Sequence, residues 1–262
     1  MITLITIELR RALSRRLVQV LIGLALVVTA IAGIVAFIQT GKPTADAPVA
    51  LVELWPTSGN DAILMVTAFF LVVGALFAGA SVAGAEWRAG SMTTMLTWEP
   101  RRVRVIVARL TAVLLAAAVI GLVLQVLFTL ALLPALLAHG STAGADAAWW
   151  RGLVGGVARS AVLTGLAAAL GASLAMIGRN TAVALGAAFV YLNVLEGVLR
   201  AWKPWLGRWL VSENATIFLT DGRVRDLPFT RSTITATLTV VIYVVAVATA
   251  ATVLFRRRDV AT

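Results

Sequence analysis

The chain carries few of the side chains that usually perform chemistry. It has no cysteine, one histidine at His139, and two lysines, Lys42 and Lys203, each followed by proline. The missing cysteines exclude thiol catalysis and thiolate metal sites, and one histidine alone cannot form a metal cluster. The sequence also has no H-E-x-x-H, no G-x-S-x-G and no phosphate-binding loop. These absences predict a chain that is not an enzyme and holds no metal.

The densest group of charges lies instead in residues 86 to 110, which read EWRAGSMTTMLTWEPRRVRVIVARL. Each Asp, Lys or Arg at the centre of a membrane-spanning helix costs about 2.5 to 3.5 kcal/mol on the insertion scale. The stretch is therefore expected in water or at a membrane surface. Its seven formal charges are Glu86, Arg88, Glu99, Arg101, Arg102, Arg104 and Arg109.

The first half of this stretch has the pattern of a short helix with one apolar side. Ser91 can cap the helix, and Met92, Met95 and Leu96 then recur at i, i+3 and i+4. Pro100 ends it, because the residue before a proline disfavours helical geometry. The helix would have about seven residues, and helices shorter than about 12 to 15 residues are marginal in water. It therefore needs a surface to pack against.

Two interpretations of that surface remain. A short helix with one apolar side fits a groove in a soluble partner. Alternatively, it lies on the membrane as part of the basic flank of the following span. The apolar side favours partner docking for residues 86 to 99, whereas the arginines favour the membrane flank for residues 101 to 110.

The elements that position this stretch are predicted to be membrane-spanning helices. The 262 residues are 60% hydrophobic and 13% charged, with a mean hydropathy of +0.96. An ordinary soluble domain is about 45 to 50% apolar and about 25% charged. Six apolar runs approach or exceed the length of about 20 residues that a spanning helix needs. We expect a single all-α, polytopic membrane domain with spans at 17 to 38, 62 to 85, 107 to 137, 153 to 177, 182 to 200 and 233 to 255.

The residues before the first span have the pattern of an amphipathic helix lying on the membrane surface. Ile5, Leu9, Ala12 and Leu13 recur at helical spacing, while the arginines fall mostly on other faces. A compatible alternative is a basic flank that orients the first span. A cleavable signal is disfavoured, because the apolar run of about 22 residues exceeds the 7 to 15 expected of a signal core.

Arginine distribution predicts the orientation in the membrane. Six crossings put both termini and the 86 to 104 segment on one side, which carries 13 of the 22 basic residues. By the positive-inside rule this side is cytoplasmic, in a multi-pass protein of the plasma membrane. The net charge of +10 is thereby explained without nucleic-acid binding. The 13 residues are Arg10, Arg11, Arg15, Arg16, Arg88, Arg101, Arg102, Arg104, Arg109, Arg179, Arg256, Arg257 and Arg258.

Few polar residues lie inside the predicted spans, and Gln125, Asn193 and Glu196 stand out. Polar and ionisable residues within a membrane are candidates for a substrate pathway. For Glu196 the alternative is a local pair with Arg200, four residues later near the end of the helix. A proton-coupled carrier would need more such groups than the sequence offers.

Two further patterns concern packing and anchoring. In the connection at 201 to 231, Trp202, Trp205 and Trp209 follow a helical spacing, and Pro204 could start a helical turn. This stripe favours an interfacial anchor over a ligand platform. The second and fourth spans carry small residues that let helix backbones approach closely in lipid, namely Gly74, Ala78 and Gly79 in one and Gly152 and Gly156 in the other.

The segment after the second span resembles that of ABC-2 type transporter permeases, in which E-x-x-x-G-[ST] precedes a basic motif leading into the third span. Here it reads Glu86-Trp87-Arg88-Ala89-Gly90-Ser91, followed by MLTWEPRRVRVIVARL. The ending FRRRDV at 255 to 260 also resembles the close of that family. The resemblance covers the full chain by topology, although the specific motif is confined to about 25 residues.

This resemblance implies a pore-forming subunit that works as a homodimer or heterodimer of permeases. Two separate ATPase subunits would bind ATP and magnesium, so this chain itself would hold no cofactor. It also implies a re-entrant structure near Trp202 to Trp209 and an exported amphiphilic or hydrophobic cargo such as a drug, antibiotic or peptide. An ATP-independent transporter and a structural or assembly protein remain alternatives. The residues expected to couple to the ATPase are Glu86, Arg88, Gly90, Ser91, Met92, Met95, Leu96, Pro100, Arg101 and Arg102.

Overall fold

The computed structural model describes residues 2–41, 63–88, 102–141, 144–222 and 229–257. Throughout these ranges the regular elements are helices, and six of the helical segments are long and apolar enough to cross a membrane. The predicted fold class, an all-α multi-pass membrane protein, is confirmed at this level.

The spanning segments are α2, α3, α4, α5, the continuous pair α6 and α7, and α9. A π-helical segment, Val190–Leu195, joins α6 to α7, and a 3₁₀ turn, Pro204–Trp209, precedes α8. The helices are α1 Ile2–Leu13, α2 Arg16–Thr40, α3 Ile63–Arg88, α4 Arg102–His139, α5 Ala147–Gly178, α6 Thr181–Phe189, α7 Glu196–Trp202, α8 Val211–Leu219 and α9 Thr233–Arg257.

Several helix boundaries differ from those predicted. Glu86 and Arg88 belong to the last turn of α3, and Arg102 is the first residue of α4. The predicted cytoplasmic segment of 86 to 104 therefore begins and ends in helix turns. Residues 85 to 89, just before Gly90, contain no glycine or proline, and neither do residues 101 to 120. Both stretches can therefore continue a helix. With 38 residues, α4 is about 57 Å long and extends beyond a hydrocarbon layer of about 30 Å.

Side-chain caps fix the turns at both ends of α5. The carboxylate of Asp146 accepts a hydrogen bond from the amide of Trp149 at 2.8 Å, which begins the helix. At the other end, Arg179 adopts a left-handed conformation with φ of 52°, and Asn180 accepts a bond from the amide of Ala182 at 2.7 Å. Two residues thus suffice to reverse the chain from α5 into α6.

The helix α5 lies at the centre of the bundle. Of its most apolar stretch, 67% is buried, compared with none of the corresponding stretch in α2. It packs against α3, α4, α6 and α9, whereas α2 packs mainly on α4. Most of the surface of α2 is therefore left for lipid or another chain.

Glycines permit the close approach of α5 to its neighbours. A Cβ at Gly79 of α3 would collide with the backbone carbonyl of Ala168, and one at Gly171 of α5 would collide with that of Leu76. The small-residue prediction is thus confirmed for Gly79, and Gly156 is buried as well. Gly74 differs, because its Cβ position faces open space.

Replacing Gly79 with leucine should destabilise the protein more than a substitution at Gly74. Overpacking a tight helix contact typically costs about 1 to 3 kcal/mol. We expect Gly79→Leu to lower the thermal unfolding temperature of the detergent-solubilised protein, while Gly74→Leu on the same helix leaves it nearly unchanged. Equal unfolding temperatures for the two variants would contradict the close contact of α3 with α5.

Candidate functional site

One end of the bundle, where residues 89–101 join α3 to α4 in the chain, is strongly basic. Here α1 lies beside α4, α3 ends, α4 begins, α5 turns into α6, and α9 ends. We call it the basic end and define it by the described arginines Arg10, Arg11, Arg15, Arg16, Arg102, Arg104, Arg109, Arg179, Arg256 and Arg257.

A buried ion pair fastens α1 to α4 at this end. The Nε of Arg109 donates to Glu8 Oε2 at 3.1 Å, and its Nη2 donates to Oε1 at 3.4 Å. The side chains of Arg109 and Glu8 are only 1% and 3% exposed. Arg11, whose side chain is exposed, also donates to Glu8 Oε1 at a distance of 3.4 Å. A two-point contact between guanidinium and carboxylate fixes both distance and orientation.

This ion pair changes the predicted inward side of α1. Ala12 is buried as expected, but Glu8 is buried with it, and Leu13 is 40% exposed. The helix itself forms as predicted, while its position on a membrane surface stays a prediction. Two features of the sequence could have indicated the pair. Glu8 is the one acidic residue before the first span, and Arg109 lies inside an apolar run.

Aromatic contacts join three other helix ends at the basic end. Trp87, near the end of α3, packs edge-to-face on Phe255 of α9, with ring centroids 6.0 Å apart. The guanidinium of Arg179, in the turn between α5 and α6, lies 4.9 Å from the centre of the Trp87 ring. Gly84, one turn earlier, lies directly against the backbone of Thr181. Trp87 therefore links α3 to the turn between α5 and α6 and to α9.

The residues predicted to couple to a partner occupy this same end where the structure describes them. Glu86, Arg88 and Arg102 lie in the helix turns on either side of residues 89–101. The remaining predicted coupling residues, including the capped helix itself, lie outside the described residues. They are Gly90, Ser91, Met92, Met95, Leu96, Pro100 and Arg101.

The three polar residues proposed for a substrate pathway do not come together. Gln125 of α4 is 1% exposed, and its Nε2 donates to the Leu64 carbonyl at 3.3 Å and to Thr67 Oγ1 at 3.1 Å. Asn193 lies on the exposed surface of the π-helical segment, where it donates to the Phe189 carbonyl at 3.1 Å. Of these two, only Gln125 faces the space between spans.

Glu196 is completely buried and caps α8 from a different helix. Its Oε1 accepts hydrogen bonds from the backbone amides of Val211 at 2.8 Å and Ser212 at 3.2 Å, and the Ser212 hydroxyl donates to Oε2. The predicted pair of Glu196 with Arg200 is wrong, because Arg200 binds Glu213 at 2.8 Å instead. A buried carboxylate is better satisfied by the free amides and positive dipole at a helix start than by an exposed arginine.

These contacts show that the chain folds back between the fifth and sixth spans. The hydroxyl of Tyr243 donates to the Trp209 carbonyl at 2.9 Å. Tyr243 lies ten residues after Thr233, about 15 Å along α9 from its start. The 3₁₀ turn begins at Pro204 as predicted. Its last residue, Trp209, lies beside the middle of α9. The rings of Trp202 and Trp205 are exposed, as an interfacial anchor requires, whereas Trp209 is exposed beside the middle of α9 and not near its end.

No protein-family model matches this chain, and no curated protein matches it with significance. Within the described ranges, no three His, Cys, Asp or Glu side chains are grouped so that they could hold a metal ion.

Removing one partner of the buried ion pair should destabilise the attachment of α1. Breaking such a pair from one side typically costs about 3 to 5 kcal/mol, because the other charge stays buried. We expect Arg109→Leu to lower the unfolding temperature and to expose α1 to protease. The double variant Glu8→Leu with Arg109→Met should recover much of that loss. Arg10→Leu, at an exposed arginine of α1, is the control, and an identical effect of the two single variants would contradict the assignment.

Removing the carboxylate of Glu196 should loosen the start of α8. Loss of a helix cap costs about 0.5 to 2 kcal/mol, so amide hydrogen exchange at residues 211 and 212 should accelerate about tenfold in Glu196→Ala. Glu196→Gln should give an intermediate rate, because its carbonyl still accepts one bond. Glu213→Gln, in the first turn of the same helix, serves as the control. Unchanged exchange in Glu196→Ala would refute the capping role.

Proposed function

We propose that the chain is the membrane permease subunit of an ATP-driven transporter of the ABC-2 type. It exports an amphiphilic or hydrophobic compound, and a separate subunit hydrolyses ATP. The observation that carries this proposal is the buried pair of Glu8 and Arg109, which fastens α1 to the first turns of α4, the helix that follows residues 89–101 in the chain. The six spans and the motif from Glu86 to Ser91 support it.

A coupling element must move the spans when its partner moves. Residues 89–101 connect α3 directly to α4, so a displacement of that segment acts on both helices. The ion pair extends the connection to α1, and only Ser14 and Arg15 separate α1 from α2. Through Trp87, the same motion reaches the turn between α5 and α6 and the end of α9. All six spans are thus attached to the basic end by short or packed links.

This mechanical continuity gives the partner a means to select between two states of the membrane domain. ATP binding changes the arrangement of the two ATPase subunits. The permease follows only if its two conformations bind those subunits with different affinity. We place the basic end on the cytoplasmic side of the plasma membrane, where ATP is available. The ATPase supplies the ATP and magnesium sites, because this sequence has no phosphate-binding loop.

The remaining partners follow from the surfaces of the bundle. None of the most apolar stretch of α2 is buried, which leaves a face for lipid or for a second permease subunit. The proposed assembly therefore contains two permeases, identical or different, two ATPase subunits and the surrounding bilayer. Nucleic acid is not a partner. The apolar, nearly uncharged spans suit a cargo that enters from or leaves into lipid.

Charges on the apolar side of the predicted coupling helix should release the ATPase. We expect the double variant Met95→Asp with Leu96→Asp to lose the ATPase subunit when the complex is purified through the permease. A buried apolar contact tolerates an unpaired carboxylate poorly. Thr93→Asp with Thr97→Asp adds the same charges to another side of the helix and should retain the ATPase. Equal retention of the ATPase by both double variants would contradict the docking of this helix on the ATPase.

A further inference from the structure

The junction between α1 and α2 carries four arginines within seven residues. They are Arg10, Arg11, Arg15 and Arg16, and we call this group the arginine corner. Arg10 and Arg16 are exposed, and the side chain of Arg11 is 51% exposed. Only Ser14 and Arg15 separate the two helices, so the four side chains start from one short stretch of backbone.

The one carboxylate in the described part of α1 and α2 is withdrawn from the surface. Glu8 is the sole acidic residue among residues 1–45, and its side chain is buried. It accepts two hydrogen bonds from Arg109 of α4, so these two charges neutralise each other, although Arg11 also contacts Glu8. The arginine corner therefore keeps a net positive charge, which favours an anionic partner.

Arg16 begins a side of α2 that is exposed along its length. Val20, Val27 and Ile31 follow Arg16 at spacings of 4, 7 and 4 residues, which places all of them on one side of the helix. Their exposed fractions are 66%, 55% and 55%, and an ideal Cβ at Gly23 on that side meets no atom within 4 Å. In a bilayer, the lipids whose acyl chains contact this side have their headgroups at the level of Arg16.

The contacts of α2 with α4 give the depth of the arginine corner. Gly33 of α2 lies against the carbonyl of Ala131, and a second contact eight residues further along both helices keeps the same register. Arg16 precedes Gly33 by 17 residues, or about 25 Å, and Arg109 precedes Ala131 by 22 residues, or about 33 Å. The ion pair that holds α1 therefore lies about 8 Å further from the membrane centre than Arg16.

These distances place the arginine corner among the lipid headgroups. Arg16 is the last charged residue before Lys42, so the hydrocarbon layer begins just after Arg16. The headgroup layer on each side of the hydrocarbon is about 5 to 8 Å thick, which matches the step from Arg16 to the ion pair. Guanidinium groups at this depth reach lipid phosphates, and each can bind two phosphate oxygens at once.

We propose that the arginine corner binds the headgroup phosphate of an anionic phospholipid, whose acyl chains lie along the Val20 side of α2. Arg16 continues the lipid-facing side of α2, which favours a lipid over an acidic surface of a soluble partner. A zwitterionic lipid binds less well, because the arginines repel its amine. The bound lipid fastens α1 to the bilayer in addition to the ion pair with α4. The inference holds whether or not the chain works with an ATPase.

A fluorescent label on a single cysteine tests which lipid lies at the arginine corner. Val20→Cys places a bimane one helical turn inside the membrane from Arg16, and Val253→Cys places it one turn from Arg257 at the end of α9. Both positions are exposed, and the chain has no cysteine of its own. The labelled protein is reconstituted into phosphatidylcholine vesicles. A small fraction of either phosphatidylglycerol or phosphatidylcholine carries a nitroxide quencher near the top of its acyl chain.

We expect the phosphatidylglycerol quencher to act several-fold more strongly at Val20→Cys than the phosphatidylcholine quencher, because arginines near a membrane surface attract anionic lipid. Adding Arg10→Gln and Arg16→Gln should bring the two quenchers close to equal. Arg256→Gln with Arg257→Gln removes the same charge from the same end of the bundle. This control should leave the preference at Val20→Cys unchanged.

Three results would overturn the proposal. Equal action of the two quenchers at Val20→Cys with all arginines present would show that no anionic headgroup is selected. An equal loss of preference in both arginine variants would show a general attraction to the basic end in place of a binding site. Absence of quenching by either lipid at Val20→Cys, with normal quenching at Val253→Cys, would show that a second subunit covers this side of α2.

Discussion

The whole bundle depends on the close contact between the backbones of α3 and α5. Helices in lipid are not driven together by water exclusion, so their association relies on packing at short distance. Gly79 against the Ala168 carbonyl and Gly171 against the Leu76 carbonyl provide that distance. With α5 fixed in the centre, α4, α6 and α9 pack around it, and α2 stays at the periphery.

At the basic end, contacts of a different kind link the helices to one another. Glu8 and Arg109 are far apart in sequence, and they form a buried ion pair with two hydrogen bonds. This pair holds α1 in one orientation on α4. Trp87 makes the corresponding connection from α3 to Arg179 and Phe255. We infer that a force applied to the connection between α3 and α4 reaches all six spans through these contacts. The helix α8, which Glu196 caps, lies away from the basic end.

The sequence was sufficient for the spans and insufficient for the contacts between them. Six apolar runs predict six helices because a membrane imposes both length and apolarity, and Gly79 follows from the need for small residues. Glu8 with Arg109 and Glu196 with residues 211 and 212 depend on partners brought close only by folding. The expected Glu196 pair with Arg200 failed because local spacing competes with tertiary hydrogen bonds. The coupling helix after Ser91 remains a prediction from sequence.

Single cysteines, placed in a chain that has none, test whether the basic end faces the cytoplasm, where it would meet the ATPase. Ser14 is exposed between α1 and α2 at the basic end, and Ala148 is exposed at the start of α5 at the opposite end. A membrane-impermeant maleimide added to intact cells should label Ala148→Cys at once. It should label Ser14→Cys only after the membrane is opened. Labelling of Ser14→Cys in intact cells, with Ala148→Cys protected, would contradict the orientation and the proposed partner.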